Sequence, residues 1–329
     1  MALLVVVPCL NEEAHLPGLL AWLGADSAAA RVVVVDGGSS DASVQIVREA
    51  AARNPRIALL DNPNRIQSAA VNLAVRAFGD ECDSFVRVDA HAAYPTDFLA
   101  RLAAAKAETG ADTVTVSMRA VAAPGACFQR AAACAQNSVL GAGGSPHRKA
   151  GERRWTDHGH HALFDTAAYR AVGGYDETIS HNEDAELDAR LVANGARILL
   201  AADIVIDYFP RRTATALARQ YFKYGEGRAR TTLRHGHRPK LRQLAPIMVA
   251  PALAAALAVG PFISVAAIPA ALWMSVCLVG GVILGLREKD PCACAAGVAA
   301  MVMHAAWSAG FLSHVLFGQT KTRTNPLTA

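Results

Sequence analysis

Charged residues are absent from most of the C-terminal quarter of the sequence. Of the 329 residues, 18% are charged and 53% are hydrophobic, and residues 244–286 contain no Asp, Glu, Lys or Arg. After the charged segment 287–290, a second run without these residues extends over 291–319. A membrane-spanning helix needs about 20 apolar residues. We therefore favour about three transmembrane helices within 244–319 over buried helices of a soluble core, and expect a tail over 320–329.

The N-terminus lacks the features of a secretory signal peptide. The segment "MALLVVVPCLNEE" has no basic residue before its apolar run, and that run is short and soon meets proline and acidic residues. We therefore expect the N-terminal domain to remain in the cytoplasm.

The seven cysteines also lack a recognisable pattern. Their number is odd and no C-x-x-C pair occurs, so neither a disulfide framework nor a zinc ribbon is predicted. We interpret Cys292 and Cys294 as small apolar residues at a membrane boundary.

Basic residues are concentrated directly before the first uncharged run. Between residues 210 and 243 there are ten Lys or Arg and one acidic residue, although the net charge of the chain is only +4. Positive charge beside a membrane helix is typical of its cytoplasmic flank. We expect residues 209–243 to form a basic amphipathic segment at the membrane surface. A nucleic-acid partner is not expected, because no binding motif accompanies the charge.

The first 110 residues alternate short β-branched runs with helical patterns. The runs "LLVVVP" (3–8), "RVVVVD" (31–36), "RIALL" (56–60) and "SFVRVD" (84–89) predict strands. The segments between them have apolar residues near helical spacing, which predicts βαβ units and a parallel sheet. Ligands of such sheets bind beyond the carboxyl ends of the strands. Asp36 and Asp89 both fall at such ends.

The residues after Asp36 are "GGSSD", and two interpretations are open for them. A carboxylate followed by two glycines lets a ring lie against the backbone, or it forms a tight turn that leads into the next helix. A dinucleotide-binding fingerprint is excluded, because G-x-G-x-x-G is missing after the first strand.

Six short motifs occur in a fixed order: "PCLNEE", "VVDGGSSD", "NRIQSAAVN", "VRVDAH", "GGYDE" and "NEDAELDARL". Over residues 3–208 this order resembles the family 2 glycosyltransferases of GT-A fold. With "ARQYFKYGEGRAR" and the apolar tail, it resembles more narrowly the ExoA-type enzymes of succinoglycan assembly. The resemblance implies an α/β fold: a GT-A, Rossmann-like cytoplasmic domain over 1–208 with a C-terminal helical transmembrane region.

The resemblance also implies an activity. It is that of a metal-dependent inverting hexosyltransferase, which moves a sugar from a nucleotide diphosphate sugar to a lipid-linked (polyprenyl diphosphate) or polysaccharide acceptor. UDP-glucose is the donor that the ExoA-type resemblance suggests. The resemblance places such an enzyme in the inner membrane as a multi-pass protein, with its catalytic domain in the cytoplasm.

Individual site residues follow from the matching motifs. Those that match the nucleotide-sugar site are Pro8, Asn11, Glu12, Asp36, Arg65, Asn72 and Asp89. In the resemblance Asp36 accepts a hydrogen bond from the uracil ring. Asp184 is the general base for the acceptor hydroxyl, and Glu183 orients it or meets the acceptor. The alternative for acidic residues here is stabilisation of a helix N-terminus, which we favour for Glu186 and Asp188.

The metal motif departs from the family pattern. Asp89 and His91 occupy the D-x-D position, where carboxylates hold Mg²⁺ or Mn²⁺ against the diphosphate. Both ions prefer oxygen ligands, although Mn²⁺ accepts imidazole more readily. We expect Asp89 to bind the metal, whereas His91 binds it directly or through water, or contacts the donor phosphate.

A second departure lies in the basic segment. Gln220, Lys223 and Tyr224 fall where the family has Q-x-x-R-W, a segment that closes over the active site and meets the acceptor or the diphosphate. Lysine replaces the arginine and tyrosine the tryptophan. Lysine offers a point charge in place of a bidentate fork. The alternative is an interfacial anchor, which we favour for residues 234–242, and which predicts that Arg238→Ala matters only with intact membranes.

Further interpretations remain open. The cluster Asp157, His158, His160 and His161 suggests zinc, but no helix aligns it, so a polar loop beside the acceptor site is favoured. A polyprenyl-phosphate glycosyltransferase is an alternative within the same class. Outside it, a sugar nucleotidyltransferase would need a basic Gly-rich loop after the first strand, and a transporter would need ionisable residues within its spans.

Overall fold

A computed structural model describes residues 3–179, 181–236 and 241–318, with only the backbone for His161 and residues 241–243. The described chain divides into two compact units. The first comprises residues 3–118 and 150–206, and the second comprises residues 119–149 and 207–318. The predicted domain over 1–208 was contiguous, whereas here residues 119–149 group with the C-terminal part. Arg238, Lys240 and the tail over 320–329 lie outside the described residues.

Eight strands form one mixed sheet in the order β3-β2-β1-β4-β7-β5-β8-β6. Their bounds are β1 Leu3–Cys9, β2 Ala29–Asp36, β3 Ile57–Asp61, β4 Ser84–Arg87, β5 Thr113–Ala120, β6 Arg154–Thr156, β7 His160–Asp165 and β8 Ile198–Tyr208. Strands β1 to β4 pair in parallel, and β7 runs antiparallel between β4 and β5. The four strands predicted from the sequence are confirmed, and β5 to β8 extend the sheet beyond the predicted part.

Thirteen α-helices lie within the described residues. Their bounds are α1 Leu16–Ala25, α2 Ser43–Arg53, α3 Gln67–Phe78, α4 Phe98–Thr109, α5 Cys127–Asn137, α6 Val139–Ala142, α7 Thr166–Ala171, α8 Glu183–Ala193, α9 Ala214–Arg234, α10 Leu241–Ile247, α11 Val249–Ala258, α12 Ile268–Glu288 and α13 Ala296–Phe317. The first three confirm the helices predicted between the strands.

The core of the first unit has a layer on each face of the sheet. Leu3, Val5 and Val7 of β1 belong to one apolar cluster, and Leu4 and Val6 belong to the other. Alternate residues of a strand point to opposite faces, so an unbroken apolar run is what a strand covered on both sides requires. Because an apolar layer lies on each face of the sheet, β1 and β2 contain few polar residues.

The second unit is helical, and its core joins α5, α9 and α13. Ala131 and Ala135 of α5, Leu217 of α9, and Ala300 and Met303 of α13 form one buried cluster. Helices pack this closely where small residues line the contact.

The interpretation of Cys292 as only a small apolar residue is wrong. Its sulfur forms a disulfide with Cys127, which begins α5. The two cysteines are 165 residues apart, so no local spacing in the sequence indicated the pair. Cys294, interpreted likewise as a small apolar residue, is a partly buried free cysteine.

Two helices of the described chain are long and apolar enough to cross a membrane. They are Ser264–Glu288, with a mean hydropathy of 2.2, and Pro291–Phe317, with 1.5. The first part of the predicted transmembrane region forms the shorter apolar helix Leu244–Ala258. The sequence predicted about three membrane crossings, whereas the described residues contain two helices that are long and apolar enough to cross.

Candidate functional site

Hydrogen bonds join the loops that follow β1 and β2. The backbone N–H of Asn11 donates to Ser39 Oγ over 2.8 Å, and that of Glu12 donates to Ser43 Oγ over 2.8 Å. Asn11 has a φ of 56°, a conformation that asparagine adopts more readily than most residues. Pro8, inside β1, belongs to the same strand end. The predicted residues of the first strand therefore lie beside the β2 loop.

Asp36, the last residue of β2, is buried and bound by its own loop. Its Oδ2 accepts hydrogen bonds from the backbone N–H groups of Gly38 (2.9 Å) and Ser39 (3.0 Å), and the Ser39 hydroxyl donates to Oδ1 (2.5 Å). Gly38 has a φ of 86°, and a Cβ there would lie 3.3 Å from Arg65 Nε. The structure thus contains the tight turn considered for Asp36, with Arg65 over it. Contact of Asp36 with a base stays a prediction.

Glu12 carries two histidines. Its Oε1 lies 2.8 Å from His91 Nδ1, and its Oε2 lies 2.8 Å from His15 Nδ1. Burial raises the pKa of Glu12, but the hydrogen bonds and charges of the two histidines outweigh burial, so the pKa lies below its usual value. His91 therefore directs Nδ1 toward a carboxylate, an arrangement that fixes the orientation of the ring.

Asp89 lies two residues beyond the end of β4. Its Oδ1 accepts a hydrogen bond from Gln67 Nε2 over 2.8 Å and lies 3.4 Å from Arg87 Nε. The Tyr94 hydroxyl accepts from the Asp89 backbone N–H and donates to its carbonyl. Within the described ranges, Asp89 Oδ2 makes no hydrogen bond, so one oxygen of a well-held carboxylate remains for a ligand.

Arg87 connects Asp89 to Asp184. The side chain is buried, and its Nη1 donates to Asp184 Oδ1 over 2.8 Å and to the Tyr175 hydroxyl over 3.0 Å. The Tyr175 hydroxyl donates to the same Asp184 oxygen over 2.6 Å. Burial alone would lower the pKa of Arg87, but the charge of Asp184 and its acidic neighbours raises that pKa well above the usual value, so Arg87 stays charged.

Sequence reasoning missed both Arg87 and Tyr175. A signal for Arg87 was present, since a charged residue inside the apolar run "FVRVD" must find a partner when the strand is buried. The partner itself, 97 residues along the chain, has no local signal.

Glu183, the first residue of α8, is buried beside Asp184. Burial and the negative charge of Asp184 raise the pKa of Glu183 to about 7, although Arg87 Nη1 lies 3.8 Å from its Oε1. Asp184 Oδ2 accepts a hydrogen bond from Arg87 Nη2 over 3.4 Å and lies 4.0 Å from His160 Nδ1. The two acids thus form a pair whose environments differ, as catalytic acids and bases require.

The predicted polar loop brings two histidines to α8. His160 lies near Asp184, and His158 Nδ1 lies 2.5 Å from Asp188 Oδ2. Among the residues that the structure describes, no group of three or more His, Cys, Asp or Glu is placed to hold a metal by itself. His158 and His160 therefore lie beside acids of α8, whereas the side chain of His161 lies outside the described residues, so the zinc interpretation stays open.

Asn72 is buried and fully engaged by protein groups. Its Nδ2 donates to the Tyr175 carbonyl (2.8 Å) and to Glu177 Oε1 (2.9 Å), and its Oδ1 accepts from the Tyr169 hydroxyl and the Tyr175 N–H. Gly174, with a φ of 67°, allows this approach, because a Cβ there would overlap Asn72 Oδ1. Asn72 thus supports the "GGYDE" turn, which carries Tyr175, and its place in the nucleotide-sugar site stays a prediction.

The residues of the predicted lid lie on α9 in the second unit. Gln220 Nε2 donates to the hydroxyls of Tyr208 and Tyr224, each over 2.9 Å, and Lys223 is exposed. Gln220 Oε1 is buried and has no hydrogen-bond partner within the described chain. A buried acceptor without a partner costs about 1–3 kcal/mol, so it is a candidate for contact with a ligand.

A divalent cation fits the donor set at Asp89. Mg²⁺ in nucleotide sites takes one or two protein carboxylates and completes its shell with phosphate oxygens and water. Asp89 supplies one such oxygen, and His91 sits two residues away with its ring held by Glu12. The arrangement suits a metal that arrives with a diphosphate.

Comparison with protein families and known proteins gives matches at several levels. Residues 4–171 match the sequence model of Glycosyl transferase family 2. The chain is 48% identical over 316 residues to the succinoglycan biosynthesis protein ExoA of Rhizobium meliloti (strain 1021), covering 95% of this chain and 94% of that protein.

A more limited relative and a solved structure complete the comparison. The undecaprenyl-phosphate 4-deoxy-4-formamido-L-arabinose transferase of Pseudomonas fluorescens (strain Pf0-1) is 37% identical over 118 residues, which is 33% of each chain. Among solved structures, the mannosyltransferase PcManGT from Pyrobaculum calidifontis, in complex with GDP-Man and Mn²⁺, has a TM-score of 0.58 at 19% identity, over 95% of this chain and 86% of that one.

Proposed function

The chain belongs to glycosyl transferase family 2, and from that premise we propose that it transfers a hexose from a nucleotide diphosphate sugar, with inversion, to a lipid-linked or polysaccharide acceptor. The observation that carries this proposal is the buried Arg87, which joins the strand-end carboxylate Asp89 to Asp184. A donor-side acid and an acceptor-side acid are the two groups that the reaction requires.

The resemblance and the fold predicted from the sequence are confirmed. The family match and the ExoA relative establish an ExoA-type family 2 glycosyltransferase, and the mixed α/β sheet is of GT-A type. The chain is therefore an enzyme of the glycosyltransferase class.

The relatives support exopolysaccharide or cell-envelope glycan synthesis as the setting. The relative that covers nearly the whole chain is named for succinoglycan biosynthesis, which favours a polysaccharide precursor carried on a polyprenyl diphosphate. The P. fluorescens relative is named for an undecaprenyl-phosphate acceptor, so a polyprenyl-phosphate glycosyltransferase is the second candidate. UDP-glucose is our proposed donor, on the ExoA-type resemblance alone.

We assign proton removal to Asp184. Its carboxylate accepts the proton of the acceptor hydroxyl while that oxygen bonds to the anomeric carbon of the donor and the bond to the diphosphate breaks. The anomeric configuration inverts, and the products are the glycoside and a nucleoside diphosphate. Arg87 and Tyr175 hold Oδ1, and Arg87 Nη2 also donates to Oδ2 over 3.4 Å, so the carboxylate is fixed in position. General base catalysis of this kind supplies roughly 10²- to 10⁴-fold.

Asp89 would hold Mg²⁺ or Mn²⁺, with His91 beside it. When bound, the cation neutralises negative charge on the departing diphosphate. The fold neighbour PcManGT binds Mn²⁺ with its nucleotide sugar, which supports a divalent cation here. Asn11, Glu12 and Arg65 stand at the proposed nucleotide end of the site.

Gln220, Lys223 and Tyr224 are our proposed acceptor-side residues. Gln220 Oε1 is buried without a partner in the described chain, and Lys223 carries a positive charge that could meet the diphosphate. They lie in the second unit, and their acceptor-side role is proposed from the family resemblance alone.

We propose that the enzyme acts at the inner membrane with its first unit in the cytoplasm, where nucleotide sugars are made. Two candidate membrane helices and the ExoA relative support membrane association. The multi-pass arrangement was expected from hydropathy alone, and the described chain has two helices that are long and apolar enough to cross.

The first prediction tests the assignment of Asp184. Asp184→Asn should lower kcat by about 10² or more while Mn²⁺-dependent binding of UDP stays within about threefold of wild type, because a general base acts on the acceptor and not on the nucleotide. Turnover with a lipid-linked acceptor and calorimetric UDP binding are the two measurements.

Glu183→Gln is the matched control. If Asp184→Asn turns over normally and Glu183→Gln does not, the base is Glu183. If wild type releases pyrophosphate in place of a nucleoside diphosphate, the chain is a nucleotidyltransferase and the proposal fails.

A further inference from the structure

The packing of α13 against α9 conflicts with a membrane-spanning α13. Both helices have about six turns. Leu217 and Tyr221 of α9 pack in the cluster that contains Ala300 of α13, and a Cβ at Gly225 of α9 would overlap the Trp307 carbonyl. Residues farther along α9 meet residues farther along α13. The two helices therefore lie side by side and run in the same direction. A bilayer that enclosed α13 would enclose α9 as well.

The sequence of α9 excludes a place in the hydrocarbon. The helix contains six charged residues, which are Arg219, Lys223, Glu226, Arg228, Arg230 and Arg234. Charged side chains at the centre of a membrane helix are costly, and several in one helix are prohibitive. Because α9 stays at the membrane surface, α13, which packs along it, cannot cross to the opposite side of the bilayer.

The loop between α12 and α13 gives an independent constraint. Asp290 in this loop pairs with Arg130 of α5 over 2.9 Å, and Cys292 forms the disulfide with Cys127. Residues 121–126, six in all, connect α5 to strand β5. Six extended residues span about 20 Å, less than the roughly 30 Å of hydrocarbon. The loop therefore lies on the same side of the bilayer as the sheet.

The face of α12 away from α13 is a continuous apolar surface. Toward α13 the helix presents Gly281 and Gly285, where a Cβ would overlap backbone atoms of the facing segment. The exposed large residues of α12 include a row at helical spacing, Leu272, Val276, Val279, Ile283 and Leu286, with exposures of 44–70%. Phe262, before α12, is 86% exposed. Protein interfaces carry a polar rim, and residues 244–286 have no charge from which to build one, so acyl chains fit this face better.

We propose that α11, α12 and α13 form a monotopic hairpin, which enters one leaflet from the side of the catalytic unit and leaves on the same side without crossing. The occupant of the α12 face is the acyl layer of that leaflet. Helix layers are 8–10 Å apart, so with α12 among the acyl chains, α13 lies near their boundary. The basic α9 then reaches the level of anionic headgroups, which attract its charge. That the leaflet is cytoplasmic rests on the proposed function, but the lack of a crossing does not.

Two sidedness measurements on the full chain separate the possible arrangements. Lys289→Cys, in the α12–α13 loop, is labelled with a membrane-impermeant maleimide in intact cells and in inverted vesicles, with the unsubstituted protein as background. Arg48→Cys, on the exposed face of α2 in the first unit, marks the catalytic side. Green fluorescent protein or alkaline phosphatase fused to the C-terminus reports the side of that end.

A monotopic hairpin gives labelling of Lys289→Cys and Arg48→Cys from the same side only, with a fluorescent and phosphatase-inactive C-terminal fusion. Labelling of Lys289→Cys from the opposite side shows that the chain crosses before this loop and overturns the proposal. Labelling from that side of Phe262→Cys, between α11 and α12, shows that these two helices cross and return, and overturns it too. A loop on the catalytic side with an active phosphatase fusion shows that α13 crosses and overturns it equally.

Vesicle binding tests the occupant of the α12 face. Protein should bind vesicles of phosphatidylcholine with a quarter phosphatidylglycerol, and the double variant Leu272→Ser with Val279→Ser should bind at least tenfold more weakly. If this variant instead converts a dimer to a monomer and binds vesicles normally, a second copy covers the face and the lipid assignment is wrong.

Discussion

At the residue scale, one arginine sets the electrostatics of the site. Arg87 is enclosed by three carboxylates, those of Asp89, Glu183 and Asp184. A buried charge is tolerated only when partners neutralise it, and removal of one partner typically costs 3–5 kcal/mol. Arg87 is thus a positioning residue: it holds Asp184 through both carboxylate oxygens and keeps the donor-side and acceptor-side acids at a fixed separation.

The second prediction concerns this role. Arg87→Met should lower kcat at least 10²-fold and move the acidic limb of the pH–rate profile to higher pH, since loss of the positive charge favours protonated carboxyl groups. Arg87→Lys keeps the positive charge but lacks the bidentate guanidinium group. It should therefore restore the pH of the acidic limb but not the full rate. A profile that keeps its shape in Arg87→Met at a lower rate would show a role in folding alone.

The third prediction follows from the raised pKa of Glu183. An unfolded glutamate ionises near pH 4.3, whereas the folded pKa is about 7 because of burial and the charge of Asp184. Between these values the folded state holds a proton that the unfolded state has lost. The stability that this proton contributes is present below about pH 4.3 and is lost as pH rises through 7.

Glu183→Gln cannot ionise, so its melting temperature relative to wild type should rise between pH 5 and pH 8. The exposed substitution Glu49→Gln is the control and should show a constant difference. A constant difference for Glu183→Gln as well would mean that Glu183 is ionised throughout this range.

At the element scale, what could be predicted from the sequence was what local patterns encode. The apolar runs of β1 and β2 predicted strands of a parallel sheet, and their terminal residues indicated where ligands are expected to bind. Insertion of β7 between β4 and β5 was not predictable in this way, because its antiparallel pairing depends on residues about 80 positions away. The same holds for Arg87 with Asp184 and for the disulfide to Cys292, since spacing in the chain says nothing of such contacts.

The fourth prediction tests the contact between α9 and α13. Gly225→Ala should destabilise the protein by about 1–3 kcal/mol, because the added methyl group would overlap the Trp307 carbonyl and overpacking of this kind forces the helices apart. Gly18→Ala is the matched control. It lies in helix α1 with no atom within 4 Å of the new methyl group, and the gain in helix propensity should raise stability by up to about 1 kcal/mol. Thermal unfolding in detergent measures both, and equal melting temperatures would contradict the close packing.

At the scale of the whole molecule, each unit has its own core and its own part of the proposed chemistry. The residues at the proposed nucleotide and metal sites, with Asp184, belong to the first unit, and the proposed lid on α9 belongs to the second. Neither unit is a continuous piece of the chain, because residues 119–149 leave the first and join the second. Removal of the C-terminal part would therefore expose α5, so truncation is a poor test of whether each unit is independent of the other. Point substitutions within each core test this directly.

The fifth prediction is that a substitution in each unit affects a different step, nucleotide binding for the first unit and transfer for the second. Asp89→Asn should abolish Mn²⁺-dependent UDP binding, because it removes a ligand oxygen and its charge, and it should also lower the melting temperature, because Arg87 loses one of its three carboxylate partners. Gly310→Ala should affect the other step. The new methyl group would overlap the Phe222 carbonyl and loosen α13 from α9, so transfer to a lipid-linked acceptor should fall at least tenfold while UDP binding stays within about threefold. Calorimetry, thermal unfolding and a transfer assay on the same preparations provide the comparison. Loss of UDP binding in Gly310→Ala would mean that the nucleotide site depends on the helical unit, and the assignment of donor binding to the first unit alone would then be wrong.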